Sequence, residues 1–443
     1  MDYSELVKSL VVDLNSVPLL DAHTHLTGGK LGARGLHDVL LYHMSVSDLY
    51  GAGCPSGARL TEFPGWPSKE EAHARICEAL PYLPLVKNTH IAWGIRIILS
   101  ELYGWKEAVT EANWRKLDDL IRERADDRSW QREMLKRANI RRACTEFARR
   151  GQGEDDDFLQ YSLEWGMVAR CQWGEFDTAL YDLERCWGRP PESPVPIGRK
   201  RPPTDRTIRT LDDVHAAVKH YVDHIPYGKV ISKATGFSSE IDYRLVSDNE
   251  MRAALARRGK AGIQERDIYA SYINEALLTA LEPHGKEIVY QFSLGAEPLP
   301  FETGSRLPQR TLAQLGEIIG RHPGLRFQAF SACTHANQAL CTLARELPNF
   351  SLAGYWWHSF FPAAIRQIMT ERLDMLPTNK QVGFFSDAYC LEWAYAKAVL
   401  VRKQLAEVLA LKIEQGQYSR DEALAIARAT VFETAQTLLG MRA

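Results

Sequence analysis

The sequence predicts an α/β fold, a closed (β/α)8 TIM barrel with a helical insertion after strand 1. Three observations carry this. Short β-type segments recur along the chain, each opening towards polar or small residues at its C-terminal end. Most are followed by a helical pattern, which implies right-handed β-α-β units and a parallel sheet. There are eight of them in 443 residues, and a minimal barrel needs only roughly 200, so room remains for an insertion.

In order, the expected strands are Leu19 to His25, Ile140 to Thr145, Met167 to Trp173, Lys229 to Thr235, Ile288 to Leu294, Arg326 to Ala332, Phe350 to Trp357 and Gln381 to Asp387. More than a hundred residues separate the first two, with helical patterns at Lys69 to Ala79, Ile91 to Tyr103 and Ala112 to Arg124. One crossover helix needs far fewer. The chain therefore divides into 1–26 (barrel start and strand 1), 27–139 (an inserted helical subdomain) and 140–443 (the remaining barrel and C-terminal helices). Leaving the C-terminal end of strand 1, the insert is expected over the barrel mouth, where active sites of such barrels lie. The proline-rich, basic stretch Gly188 to Pro203 reads as a solvated loop, with a substrate lid or an oligomer contact as alternatives.

Composition narrows the function. Hydrophobic residues at 45% and charged residues at 25% describe a globular protein with a large core and exclude disorder for most of the chain. Lys plus Arg (54) against Asp plus Glu (56) leaves a formal charge of -2. That is too near neutral for a nucleic-acid or anionic-membrane binder working through bulk electrostatics, so a small-molecule partner is expected. No apolar run reaches the roughly 18 residues of a membrane span, and the first stretch carries acids where a signal peptide carries bases. A cytoplasmic location follows as an expectation, with a homo-oligomer left open. The eight cysteines include no C-x-x-C pair, so reduced, mostly buried thiols without disulfides are expected.

The strongest chemical signal is Asp21-Ala22-His23-Thr24-His25 at the end of an apolar strand. A strand alternates faces at every residue, so His23 and His25 point the same way, into the barrel mouth, at a separation suited to one metal ion. Two neutral imidazoles favour Zn, Fe, Mn or Ni over Mg or Ca. The expected cofactor is one divalent ion, zinc before the others; the alternative is a histidine pair satisfied by local hydrogen bonds. Asp387, in Val382-Gly-Phe-Phe-Ser-Asp-Ala, is the expected anionic ligand, because closure makes strand 8 the neighbour of strand 1. Its alternative role is the N-cap of a helix starting near Tyr389.

Further candidates are argued from position. Lys233, at the expected end of strand 4, would face a substrate carboxylate or the metal, or else be a surface lysine. Arg170, inside an apolar segment, must be paired or face a cavity, since a lone buried guanidinium is costly. Trp356 and Trp357 offer an apolar wall and His358 an imidazole that titrates near neutral pH; a core tryptophan pair with an exposed histidine is the other reading. His43 lies close to strand 1 in sequence and is a candidate base. His335 reads as a site group or a helix-start residue.

These features resemble the amidohydrolase superfamily, and the order of segments resembles its uronate isomerases. The similarity spans most of the chain: DAHTHL, Asn88-Thr89-His90 and Tyr103-Gly104-Trp105 in the insert, Gln291-Phe-Ser-Leu-Gly-Ala, Tyr355-Trp356-Trp357-His358, and Ser386-Asp387. The resemblance implies a (β/α)8 fold, one divalent metal held by His23, His25 and Asp387, and interconversion of an aldehyde-form uronate with its ketose through an enediol. There are departures. The family has His where this chain has Phe292 or Ser293, Arg where it has Tyr389, and His-Tyr where it has His43-Met44. Its Arg-Pro-Asp corresponds to Trp173-Gly174-Glu175, and its Asp-His-Gly to Ala234-Thr235-Gly236. Thus the metal site is kept while the groups that grip a uronate are changed.

The resemblance therefore implies a metal-dependent aldose-ketose isomerase of a uronate or related sugar acid, with Asp387 or His43 as base and Lys233 assisting. Arg170, Trp357, His358 and Tyr389 are its substrate-binding candidates. The alternative is a metal-dependent hydrolase of a lactone, amide or ester, in which Asp387 accepts a proton from a metal-activated water. A sugar-acid binding protein without turnover is the third class.

Overall fold

Eight parallel strands follow one another in chain order: β1 (Leu19–Thr24), β2 (Ile140–Glu146), β3 (Leu159–Glu164), β4 (Ile231–Gly236), β5 (Val289–Leu294), β6 (Arg326–Ser331), β7 (Phe350–Ala353) and β8 (Gln381–Val382). The computed structural model describes residues 2–55, 67–146, 155–164, 178–189, 203–225, 231–236, 244–260, 262–295, 307–355 and 359–441. Each strand pairs in parallel with the next. The ring closes just beyond β8. There the Ala22 N–H donates to the Phe384 carbonyl (3.2 Å), the Asp387 N–H to that of His23 (3.0 Å) and the His25 N–H to that of Ala388 (2.8 Å). The sequence-expected (β/α)8 barrel is thus the fold.

Two-residue periodicity sets what each strand presents. On β5 and β6, Val289 and Phe330 join Leu20, Ala22, Val382 and Phe385 in a cluster inside the barrel. Tyr290, Phe292, Leu294, Phe327 and Ala329 instead join the apolar faces of the surrounding helices. Ser293 therefore lies on the interior face and Phe292 does not. The segment Ala429–Leu439 and Met441 cover part of the interior cluster, with Phe432, Ala435 and Leu439 packed into it.

Three sequence expectations need correction. The third strand is Leu159–Glu164, not Met167 to Trp173. Its residues Leu-Gln-Tyr-Ser-Leu-Glu alternate, whereas Met167 to Trp173 is the more continuously apolar run in sequence. Arg170 and Trp173-Gly174-Glu175 consequently lose their footing on that strand and lie outside the described residues. Lys233 sits in the middle of β4, in register with Gln291, not at the strand's end. Finally, β7 stops at Ala353 and β8 at Val382, both shorter than the expected segments. Trp357 and His358 lie outside the described residues, as does most of Gly188 to Pro203.

Between β1 and β2 the chain forms helices at Leu36–Leu40, His43–Gly51, Lys69–Ala79, His90–Ile97, Trp114–Arg122 and Arg128–Ala138. Ser68 starts the third of these with a capping box, its hydroxyl accepting from the Glu71 N–H while the Glu71 carboxylate returns to Ser68. Buried Asp118 ties three helices together, accepting from the Leu36 N–H (2.8 Å), His73 (2.7 Å) and Arg122 (2.6 Å). The group is anchored on the long helix Leu391–Glu414. There Glu392 accepts from the Ala33 N–H (2.9 Å) and the Tyr103 hydroxyl (2.7 Å). Arg402 donates to the carbonyls of Ala138 and Val17. Among the described residues, no helix is long and apolar enough to cross a membrane, and the seven described cysteines are unbridged.

Gly94 marks the tightest part of this anchor. A Cβ there would meet Trp393 Cζ3 at 2.6 Å, whereas a Cβ at Gly320, on an exposed helical turn, would meet nothing within 4 Å. Alanine favours helix at both sites, but at Gly94 the overpacking term, about 1–3 kcal/mol, outweighs that gain. We expect Gly94→Ala to lower and Gly320→Ala to raise the free energy of urea unfolding, the latter by about 0.4–1 kcal/mol. Shifts of the same sign in urea unfolding would refute the packing argument.

Candidate functional site

The first link is β1 itself. Alternation puts His23 and His25 on one face, and the seam to β8 places Asp387 opposite them. His23 Nε2 lies 3.1 Å and His25 Nε2 3.0 Å from Asp387 Oδ1. The three ligand atoms fall within 4.8 Å of one another, with His23 and Asp387 buried and His25 half-buried. Asp387 has φ +52°, in the left-handed region that a non-glycine residue seldom occupies. It is held there from both ends: its N–H donates to the His23 carbonyl (3.0 Å), and its own carbonyl accepts from the Tyr42 hydroxyl (2.8 Å). Such strain persists only where the surroundings over-determine it.

Asp387 does not cap the following helix. That helix begins at Leu391, with Cys390 at the cap position and no side-chain cap bond. Burial alone would raise the Asp387 carboxyl, but hydrogen bonds from His23 and His25 outweigh it and hold the group well below the usual carboxylate range. Asp21, which opens the motif, does another job. Its Oδ1 accepts from the Ser386 N–H (2.8 Å) and the His23 N–H (3.3 Å), pinning β1 to the strand-eight side. Burial pushes its carboxyl up to about 7, against the pull of its bonds to Ser386.

The donor set suits a divalent transition-metal ion: two imidazole nitrogens and one carboxylate, three protein ligands that leave positions open for water or substrate. His43, at the start of its helix, reaches the same corner with Nε2 3.5 Å from Asp387 Oδ2. Burial lowers its imidazole to about 3, which favours the neutral form. Tyr389 stacks on His25, ring centres 4.4 Å apart and planes 3° off parallel, and meets His43 edge-on at 5.4 Å.

Of the sequence-derived candidates, the structure thus gathers His23, His25, Asp387, His43 and Tyr389. The side chain of Lys233 is not among the described ones, and Arg170, Trp357 and His358 lie outside the described residues. His335 is exposed in the turn that starts the helix Asn337–Glu346 and is not among the side chains grouped with His23, His25 and Asp387. Sequence reasoning missed Tyr42 and Lys397. The Lys397 ammonium donates to the Tyr42 hydroxyl, which in turn holds Asp387. The available signal was a lone lysine in the apolar run Trp393-Ala-Tyr-Ala-Lys-Ala-Val-Leu-Val.

At the level of sequence, no family model and no curated protein matches the chain. Among solved structures, a uronate isomerase from Thermotoga maritima superposes with a TM-score of 0.76 at 15% identity, covering 98% of this chain and 97% of its own. A glucuronate isomerase from Caulobacter crescentus gives 0.77 at 15% identity, over 100% and 95%. A protein from Lactobacillus casei assigned as a metal-dependent hydrolase gives 0.57 at 13% identity, over 97% of each. At these identities the likeness establishes a shared fold along the whole chain, insert included.

We expect His23→Ala and His25→Ala each to remove most bound metal while leaving a folded barrel, since both sit at the mouth and not in the stabilising lower layers. Elemental analysis beside circular dichroism checks this, and full metal content in both variants would sink the assignment. Asp387→Asn should cost more turnover than metal, because two imidazoles still hold the ion. Near-normal activity in that variant would remove Asp387 from the chemistry.

Proposed function

We propose that the protein is a metal-dependent sugar-acid isomerase that converts an aldehyde-form uronate, or a related acid, to its ketose through an enediol. The observation that carries this reading is the convergence of His23, His25 and Asp387, with His43 beside them, at the closing seam of a barrel whose whole length resembles uronate isomerases. His23, His25 and Asp387 would hold one divalent ion, with zinc the first choice for this ligand set. When bound, the ion supplies Lewis-acid polarisation of the substrate's carbonyl and adjacent hydroxyl.

The chain's own residues account for the proton. His43 Nε2, in a buried corner, takes the proton from the carbon next to the carbonyl and returns it to the former carbonyl carbon, while the hydroxyl proton passes between the two oxygens. Asp387 is the other basic group within reach and, through its contacts with His23, His25 and His43, sets their relative orientation. Tyr389, stacked on His25, forms one wall and keeps that ring in plane.

A second reading, hydrolysis of a lactone, amide or ester, is favoured by Tyr389 and the interior-facing Ser293, which stand where the sequence resemblance implies an arginine and, at 292 or 293, a histidine. Proton NMR in heavy water separates the two. Incubating metal-loaded protein with uronates should place deuterium on the carbon next to the carbonyl as ketose accumulates. Release of a hydrolysis product from a lactone or ester panel, with no exchange into any uronate, would overturn the isomerase and select the hydrolase.

A further inference from the structure

One buried cation has no part in the steps above. Lys397 lies in the second turn of the helix Leu391–Glu414 and is 1% exposed. Its ammonium sits between two rings, 4.6 Å from the centre of Tyr42 and 4.5 Å from that of Phe360, and donates to the Tyr42 hydroxyl. An ammonium has three protons to donate. No other hydrogen-bond partner and no carboxylate ion pair is found for it among the described residues. Burial pulls this ammonium down to about 8, and the negative charges that oppose the shift are Asp387 and Asp21, both engaged elsewhere, one against His23 and His25 and the other on the β8 backbone. A divalent ion held by Asp387 would draw on that charge as well, leaving the buried ammonium short of an anion.

On the insert side of Phe360 lies His90, 8% exposed, its ring centre 6.3 Å from that of Phe360 and 4.5 Å from that of Phe361. Neither ring nitrogen has a hydrogen-bond partner among the described residues. Burial, with Lys397 adding to it, pushes this imidazole down to about 3, so it is a neutral ring with one N–H to give. Dehydrated donors of this kind are costly to bury unmatched, and together they match one oxyanion.

We propose that Lys397, with His90 beside it, is the anion-recognising corner of the site and takes the carboxylate of an open-chain sugar acid whose other end lies at His23, His25 and Asp387. The inference rests on the sugar-acid reading given above and adds to it the residues that select an acid over a neutral sugar. It also accounts for a site that lacks a cation at position 389: the charge comes from the following helix.

The test uses the full-length protein loaded with zinc, its metal content checked, and calorimetric titration with gluconate and with sorbitol, which differ in the terminal carboxylate. Wild-type protein should prefer gluconate by roughly ten-fold or more, as expected for charge-assisted hydrogen bonds. Lys397→Met should erase most of that preference without loss of zinc, His90→Phe should reduce it several-fold, and Lys397→Arg should restore a good part of it. Should Lys397→Met not fold, Lys397→Gln carries the same comparison. If the variants bind gluconate with the wild-type ratio over sorbitol, Lys397 and His90 are not the anchor, and the sugar-acid reading stands without them. If wild-type protein shows no preference for the acid, the sugar-acid reading itself falls and the anchor with it.

Discussion

Closure of the barrel between β8 and β1 is the constraint on which the site depends. His23 and Asp387 are 364 residues apart in sequence, and only the seam makes them neighbours. Joining ends so far apart carries a loop-closure cost that rises only logarithmically with length, and the seven preceding strand pairs have already met most of it by ordering the ring. What remains is local. Three backbone hydrogen bonds across the seam, with the Asp21 carboxylate bonded to the Ser386 N–H, fix the relative height of the two strands. A slip of one residue would turn His23 and His25 towards the helices, so register and chemistry are one requirement.

The helix Leu391–Glu414 carries that requirement outward. It starts four residues after Asp387, and its first two turns bind the inserted helices through Glu392, Trp393 and Lys397. Tyr42, at the head of the helix that presents His43, touches both the Asp387 carbonyl and the Lys397 ammonium. The insert is therefore a component of the site as well as its neighbour: one hydroxyl couples a left-handed backbone position, a candidate base and a buried cation. The Tyr42 hydroxyl is bonded on both sides, and breaking either bond would leave a buried polar group in apolar surroundings.

Much of this was legible in the sequence, and the reasons are physical. DAHTH reads directly because strand alternation is a geometric certainty, and seven of the eight expected segments overlap a strand. β3 is the exception: Leu159–Glu164 alternates apolar and polar residues like a half-exposed strand, and a more apolar run follows it. Asp387 was legible as a candidate ligand, and its competing role as a cap is excluded by the helix start at Leu391, with Cys390 at the cap position. The network beyond the ligands was not legible. Tyr42 and Lys397 are 355 residues apart and belong to helices whose meeting no local pattern specifies.

At position 389 the sequence resemblance implies an arginine, which would bring a cation close to His25 and to any ion held there, and would need an anion to compensate it. Tyrosine instead lays its ring flat on His25 at 4.4 Å, fixing the imidazole plane at no cost in charge. His25 is the more exposed of the two imidazoles, and so the one whose orientation the barrel itself holds least. The stack thus does for His25 what burial against Phe330 and Phe385 does for His23. Both rings are held by aromatic contacts, and the buried cation Lys397 is set back behind Tyr42, whose hydroxyl stands between its ammonium and the Asp387 carbonyl.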